Sequence, residues 1–182
     1  FHLSLQSCCD KTLAAMRRRY NTKMLAENCR YLRENIKDVC FTADVICGFP
    51  GETDEDFAQT LKNTEALGLL SAHIFPFSKR PGTEAATMPH QVPEDIKQTR
   101  CATLSKTVSE SQKAIVNAYI EDKKTFKVLF ETHKNGYVFG HTENFISVRA
   151  KGGKEQLNKI FNVILTNLND GEGDYLANGV II

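Results

Sequence analysis

The sequence lacks any apolar run approaching the roughly 20 residues that a membrane-spanning helix needs. No leader-like start is visible in its first residues: Phe1-His2-Leu3-Ser4-Leu5-Gln6 alternates like a strand, lacks a charged stretch and does not open on Met. The chain is therefore expected to be part of a longer protein with sequence ahead of Phe1. Charge of one sign is also scarce in excess, since 23 Lys and Arg against 22 Asp and Glu leave a formal net charge of +1. A nucleic-acid partner is not announced by bulk charge, and any basic footprint must be local. The six cysteines (Cys8, Cys9, Cys29, Cys40, Cys47 and Cys101) form no C-x-x-C pair, which excludes the usual zinc and dithiol motifs. Four of them sit in apolar patterns, where a free thiol behaves as a small hydrophobe. That usage fits a reducing cytoplasm, not a disulfide scaffold. There is no internal repeat and no low-complexity tract.

What is present is ordinary globular composition, 41% hydrophobic and 25% charged over 182 residues. This length allows one large domain, or one domain and a small companion. The first two-thirds alternates strand and helix. Residues 2–6 read as a strand, and Asp10 is expected to cap a helix reaching about Arg19. A second helix starts at Thr22 or its neighbour, with Leu25, Cys29, Leu32 and Ile36 as one apolar stripe. The run 41–49 is nearly all apolar, as in a parallel strand buried on both faces. Thr53 with Asp54, Glu55 and Asp56 predicts a capped helix that ends at Gly68. Residues 72–78 form a further strand, where Pro76 argues for an edge. Pro93 suits the first position of a long helix ending near residue 122. Five short strands follow, at 125–131, 137–141, 144–150, 160–168 and 175–182, with Asn135-Gly136 as a hairpin turn. They predict a small closed barrel of the oligonucleotide-binding kind. The expected domains are 1–124 and 125–182.

Three strand ends carry polar groups. Asp44-Val45-Ile46-Cys47-Gly48-Phe49-Pro50-Gly51-Glu52-Thr53 runs from a buried strand through a Gly-rich turn into a helix. In α/β proteins ligands bind at the C-terminal ends of the strands. Asp44, inside an apolar run, needs a partner or a role. Phe77-Ser78-Lys79-Arg80-Pro81-Gly82-Thr83 follows another strand, and Arg80 offers a fork for carboxylate or phosphate. Leu3-Ser4-Leu5-Gln6-Ser7 ends the first. Each segment alone also has a plainer reading, a strand-to-helix connection, a solvated turn and a sheet-edge glutamine in that order; three at successive strand ends point to one shared site.

Together with Phe75-Pro76-Phe77-Ser78 and Arg80-Pro81-Gly82-Thr83, these segments resemble the late strands of radical-SAM methylthiotransferases. Gly140-His141-Thr142-Glu143-Asn144-Phe145 and Asn158-Lys159-Ile160 resemble positions of their TRAM domain. The resemblance covers nearly the whole chain. It implies the C-terminal half of a (β/α)6 partial barrel followed by an OB-like, all-β TRAM barrel. It further implies S-adenosylmethionine and [4Fe-4S] clusters as cofactors. One S-adenosylmethionine would supply a methyl group and another a 5′-deoxyadenosyl radical, which takes hydrogen from adenosine C2 so that sulfur enters as a methylthio group. The implied substrate is threonylcarbamoyladenosine beside the tRNA anticodon. The isopentenyladenosine enzyme, the ribosomal-protein aspartate enzyme and a non-catalytic RNA-binding module are the alternatives. Gln6, Ser7, Asp44, Ile46, Gly48, Glu52, Ser78 and Arg80 would bind the cofactor. The C-x3-C-x2-C triplet of the family is absent, and closely spaced thiolates are what a cluster needs. No metal ligand is therefore assigned here, the cluster ligands are expected ahead of Phe1, and no catalytic residue is assigned. Cys8 stands where the family has Gly and would be strained if that turn needs a positive φ.

Residues 125–159 hold six basic residues (Lys127, Lys134, Arg149, Lys151, Lys154, Lys159) and three acids (Glu131, Glu143, Glu155), whereas 160–182 hold only three acids. Phe130, Tyr137, Phe139 and Phe145 interleave with these charges. Lysine and arginine on phosphates plus stacked aromatics is how small barrels hold single-stranded RNA. Lys127, Phe139, Phe145, Arg149 and Lys159 are the candidates, with about half of the aromatics expected inside. Arg17-Arg18-Arg19, with Lys11 and Lys23, is a second basic cluster, read either as a solvated face or as a phosphate contact.

Overall fold

The computed structural model describes residues 1–169, 171 and 175–182. They form two compact units, Phe1–Gln112 and Lys113–Ile182, which divide within the last helix. The acids at positions 170, 172 and 174 lie outside the described residues.

The first unit contains β1 (His2–Gln6), α1 (Asp10–Ala15), α2 (Thr22–Asn35), β2 (Thr42–Cys47), α3 (Asp54–Leu67), β3 (Ser71–Pro76) and most of α4 (Glu94–Glu121). The strands form a parallel sheet in the order β1-β2-β3, with Asp44 opposite His73 and Ile46 opposite Phe75. Pro76 closes an edge strand, where its missing N–H costs no ladder bond. Leu5, Phe41, Val45, Phe57, Leu69 and Leu104 pack as one core.

That core corrects the expectation for β2. Ala43, Val45 and Cys47 are buried, but Thr42, Asp44 and Ile46 on the other face are only half-buried. Successive strand residues point to opposite faces, and the helices cover one of them. Alpha1 also differs from expectation. Cys9 occupies its N-cap, and the Asp10 carboxylate instead accepts the Thr22 N–H at 2.7 Å. The helix stops at Ala15, and Arg17 turns into the left-handed region at φ 57°. Asn21 caps α2 by accepting the Met24 N–H at 2.9 Å. Thr53 and Asp56 form a reciprocal capping box at the start of α3, at 3.2 and 2.9 Å. Gly68 ends that helix at φ 60°, where glycine carries no Cβ penalty.

The second unit comprises the end of α4 and β4 (Thr125–Lys134), β5 (Tyr137–Thr142), β6 (Ser147–Lys151), β7 (Lys159–Leu168) and β8 (Ala177–Ile181). The strands close a barrel in the order β4-β5-β6-β8-β7, with β6 and β8 parallel and the other pairs antiparallel. Val116 of α4 is fully buried and the Tyr119 ring meets Phe126 edge-on at 5.1 Å, so the strands begin well after this unit does. Asn135 and Gly136 both take positive φ, 52° and 77°, as a two-residue hairpin turn demands. Gly140 faces Phe130 across a bulge, and a Cβ there would overlap the Leu129 carbonyl oxygen. The strand expected from residue 144 starts only at Ser147. Thr142 to Ile146 instead form a turn closed by Phe145 N–H to Thr142 O (3.0 Å) and Ile146 N–H to Thr142 Oγ1 (2.9 Å).

Candidate functional site

The C-terminal ends of β1 and β2 open on a cavity of about 290 Å³. Gln6, Met16, Ile46, Phe49, Phe77 and Met88 line it, with Arg17, Arg18 and Glu84 at its polar side. An apolar hollow with a few convergent polar groups is the usual form of a small-molecule site. Gln6 is held in the left-handed region at φ 59°, at an irregularity in the β1–β2 ladder. A non-glycine residue there is strained, and such strain gathers at ligand sites. The Arg17 guanidinium pairs with the Glu84 carboxylate. A larger cavity of about 340 Å³ lies among α2 and α3 residues such as Leu25, Ala26, Cys29 and Ala66. It is on the helical side, with Cys8, just past the end of β1, also in its wall.

The eight residues expected around the cofactor do not share one place. Gln6 and Ile46 line the cavity. Asp44 lies on the same open strand face as Ile46, and its carboxylate meets His2 Nε2 at 3.1 Å and His73 Nδ1 at 3.5 Å. Those imidazoles are the partners that a carboxylate within an apolar run requires. Ser78 and Arg80 are exposed. The Arg80 carbonyl accepts from Thr83 N and Oγ1 at 3.2 and 2.7 Å, which fixes the turn and leaves the guanidinium outside it.

Ser7, Gly48 and Glu52 point inward instead. Ser7 is 1% exposed; its hydroxyl accepts the Cys9 N–H at 3.2 Å and lies 3.4 Å from Thr60 Oγ1. Gly48 takes φ 75°, and a Cβ on it would overlap the Lys97 side chain, so glycine is required by protein packing. Its N–H donates to Glu52 Oε1 at 3.1 Å. Glu52 is buried and paired with Arg100 at 2.8 Å, and Arg100 Nη2 also reaches Asp54 at 2.8 Å. Burial pushes the Glu52 carboxyl above its ordinary range, opposed by the Gly48 N–H and the Arg100 charge. Lys97, also buried, donates to the Phe77 carbonyl at 3.0 Å and to Glu94 at 2.9 Å. Lys97 and Arg100 thus brace both strand-end loops from α4. Cys8 does not take a positive φ, so the strain expected there falls on Gln6. Its thiol is fully buried, and burial pushes it up to about 11.

On the barrel, Phe139 and Arg149 face each other across β5 and β6. Arg149 Cζ lies 4.7 Å from the Tyr137 ring centre and 4.5 Å from that of Tyr175, and its Nε donates to Asn178 Oδ1 at 2.8 Å. Phe139 is half-buried against Tyr175 at 5.8 Å. Phe145 is 73% exposed and lies over the His141 ring at 5.3 Å. Phe130 is buried inside the barrel. Lys127 is exposed on β4, and Lys159 donates to the Glu155 carbonyl at 2.8 Å. Sequence reasoning singled out Arg149 but not its tyrosine bracket, which needs Tyr175, 26 residues further along the chain, beside β6.

A hollow at the C-terminal ends of the strands of a parallel sheet is where α/β proteins bind their ligands, and residues 1–63 match the Radical SAM superfamily. A tRNA-2-methylthio-N(6)-dimethylallyladenosine synthase of Campylobacter jejuni (serotype O:23/36, strain 81-176) is 38% identical over 167 residues, covering 91% of this chain and 38% of that protein. A protein of the same name from Endomicrobium trichonymphae is 39% identical over 162 residues, 89% of this chain and 38% of that protein. The threonylcarbamoyladenosine tRNA methylthiotransferase MtaB of Bacillus subtilis (strain 168) is 33% identical over 168 residues, 89% of this chain and 37% of that protein. The chain belongs to the radical-SAM methylthiotransferase family. It spans less than two-fifths of the length of these curated relatives.

S-adenosylmethionine and [4Fe-4S] clusters are the cofactors of that family. The strand-end hollow suits the first: it has apolar walls for a nucleoside and Gln6 and Arg17 for polar ends. The residues do not suit a cluster. Among the described residues no three His, Cys, Asp or Glu side chains are placed to hold a metal ion. Five of the six cysteines are buried, and none is in a disulfide.

Proposed function

We propose that this chain is the C-terminal portion of a tRNA methylthiotransferase, acting on C2 of threonylcarbamoyladenosine beside the anticodon. The observation that carries it is the hollow at the strand ends of a Radical SAM match, in a chain related to tRNA methylthiotransferases. S-adenosylmethionine, when bound, supplies the methyl group and the radical. In this chain Gln6 orients the bound cofactor through its amide and Ile46 gives it an apolar wall, while Asp44, Ser78 and Arg80, which do not line the hollow, would meet only the parts of the cofactor that extend beyond it. Ser7, Gly48 and Glu52 act at one remove, by fixing the two loops. The cluster ligands belong to sequence outside this chain.

The barrel supplies the tRNA contact and is a TRAM domain. Its strand order supports an oligonucleotide-binding topology, in which the second and third strands form the binding face. Tyr137, Phe139 and Arg149 stand there, while Lys127, Phe145 and Lys159 extend the contact.

Ser4-Leu5-Gln6-Ser7 favours the threonylcarbamoyl nucleoside. The dimethylallyl nucleoside is a second reading, favoured by relatives at 38–39% identity. Nucleoside mass spectrometry of tRNA from cells with and without the gene separates them. Loss of methylthio-threonylcarbamoyladenosine is the expected result. Loss of the dimethylallyl product instead moves the substrate, and no change in either removes the tRNA reading.

A further inference from the structure

We propose that Arg149, bracketed by Tyr137 and Tyr175, is a preformed seat for one RNA phosphodiester on the barrel. This rests on the reading that the barrel holds tRNA, and it specifies how.

Arginine is normally flexible, and ordering it costs conformational freedom. Here the cost is met in advance. Two rings lie within 4.7 Å of Cζ, and Asn178 takes the Nε hydrogen at 2.8 Å. The cation gains from both ring faces. No carboxylate is paired with it among the described residues, and Nη1 and Nη2 meet no protein acceptor there. A guanidinium whose stem and Nε are fixed while its outer nitrogens stay open is a fork for a bidentate oxyanion.

The second observation is independent. Tyr175 is 6% exposed, and its hydroxyl is buried with no hydrogen-bond partner. Buried polar groups are nearly always paired, so an orphan donor calls for an explanation. A small shift of the Tyr175 ring on RNA binding would bring that hydroxyl to a phosphate oxygen seated on the Arg149 fork and give it its acceptor. Phosphodiester is favoured by the surroundings. Lys151 stands two residues along β6 on the same face, about 6.6 Å further on, paired with Tyr137. A second cation in line with the first matches a chain of phosphates and not a lone anion. Phe139, half-buried beside Tyr175, offers a ring for the adjoining base.

The test uses the protein and a fluorescent anticodon stem-loop RNA, with affinity read by anisotropy over a salt series. Arg149→Ala should bind roughly ten- to a hundredfold more weakly, the worth of one charge-assisted contact. Its log–log salt slope should flatten by about 0.7, as for one lost phosphate on a single strand. Arg149→Lys should keep the slope and lose part of the affinity. Tyr175→Phe should weaken binding without changing the slope. With unaltered protein, a methylphosphonate scan of the RNA should find one position whose neutralisation costs about as much as Arg149→Ala, and Arg149→Ala should be indifferent to it. Equal affinity of Arg149→Ala and the parent at every salt concentration overturns the proposal. So does a scan in which no single phosphate matters, or full displacement of RNA by millimolar inorganic phosphate, which would make the seat one for a free anion. Loss of methylthiolation reading with an intact Arg149 effect would remove the enzymatic reading alone; normal methylthiolation with no Arg149 effect would remove this one alone.

Discussion

Replacing Arg100 with Met isolates the charge of Glu52. The parent guanidinium holds Glu52 Oε1 at 2.8 Å, the Glu52 carbonyl at 3.2 Å and Asp54 at 2.8 Å, and lies 5.4 Å from the Phe57 ring centre. The Glu52 side chain is 2% exposed and that of Arg100 6%. Removing one member of such a pair leaves a buried charge with no counter-ion and costs about 3–5 kcal/mol. That is a large part of a domain's typical ~5–15 kcal/mol. Glu52→Gln should cost less, about 1–3 kcal/mol, because the amide oxygen still accepts the Gly48 N–H and Arg100 keeps Asp54. Changing both together, Glu52→Leu with Arg100→Met, should recover much of the loss. The pH dependence has a definite sign. Burial already raises the Glu52 carboxyl, and losing Arg100 raises it further. The native state then keeps a proton that the unfolded chain releases near pH 4.3, so stability falls as pH rises through the raised folded value. The deficit of Arg100→Met should be full at pH 8 and smaller at pH 5. Hydrogen exchange at the Gly48 amide, with urea midpoints, reads both quantities. Unchanged protection, or a deficit equal at pH 5 and pH 8, would refute the reasoning.

Gly48→Ala should destabilise more than Gly51→Ala, measured by thermal unfolding. Both take a positive φ, worth about 1–2 kcal/mol, but only at Gly48 would the new Cβ meet Lys97. Phe145→Ser should leave stability unchanged, since the ring is 73% exposed, while weakening binding of the anticodon RNA by the ~1–3 kcal/mol of one stacked base. Lys127→Glu should weaken that binding too and flatten its salt dependence; a parallel salt series would count against a phosphate contact. Alkylation at pH 8 should reach the partly exposed Cys101 before Cys8, whose thiol burial pushes up to about 11. Native-state labelling of Cys8 at the rate of a free thiol would contradict its placement.

The elements that the sequence displays best are those set by near neighbours. Thr53 with three acids behind it specifies the α3 cap, and Asn135-Gly136 specifies the hairpin, because the partners lie within four residues. Alpha1 misled because Asp10 has a better use, tying Thr22 twelve residues away. In the site, Gln6 and Ile46 were legible as strand-end residues. Ser7 and Glu52 were not legible as inward-facing, because a one-residue change in direction at a strand end depends on the Gln6 backbone turn and on Arg100, 48 residues on. Lys97 and Arg100 left a signal that could have been read. They fall at helical spacing before Leu104 and Val108, so two cations interrupt an apolar stripe whose face must be buried.

The division of labour between the two units makes a kinetic forecast, given the proposed function. Contacts to RNA phosphates and to bases away from the reacting nucleoside are the same in the ground and transition states. They contribute uniform binding, which lowers KM and leaves kcat alone. Arg149→Ala and Lys127→Glu should therefore raise KM for tRNA at unchanged kcat. Gln6 is different, because it lines the hollow where the cofactor and reacting nucleoside must be aligned, and misalignment there acts on the chemical step. Gln6→Ala should lower kcat. It also relieves no backbone strain, since alanine at φ 59° is no better placed than glutamine. Gln6→Gly separates the two causes: it frees the backbone while removing the amide. A kcat that falls equally in Gln6→Ala and Gln6→Gly, with KM for tRNA unmoved, assigns the loss to the amide. A kcat restored by glycine would instead make the turn geometry the determinant, and a KM effect alone would place Gln6 with the uniform binders and outside the chemistry.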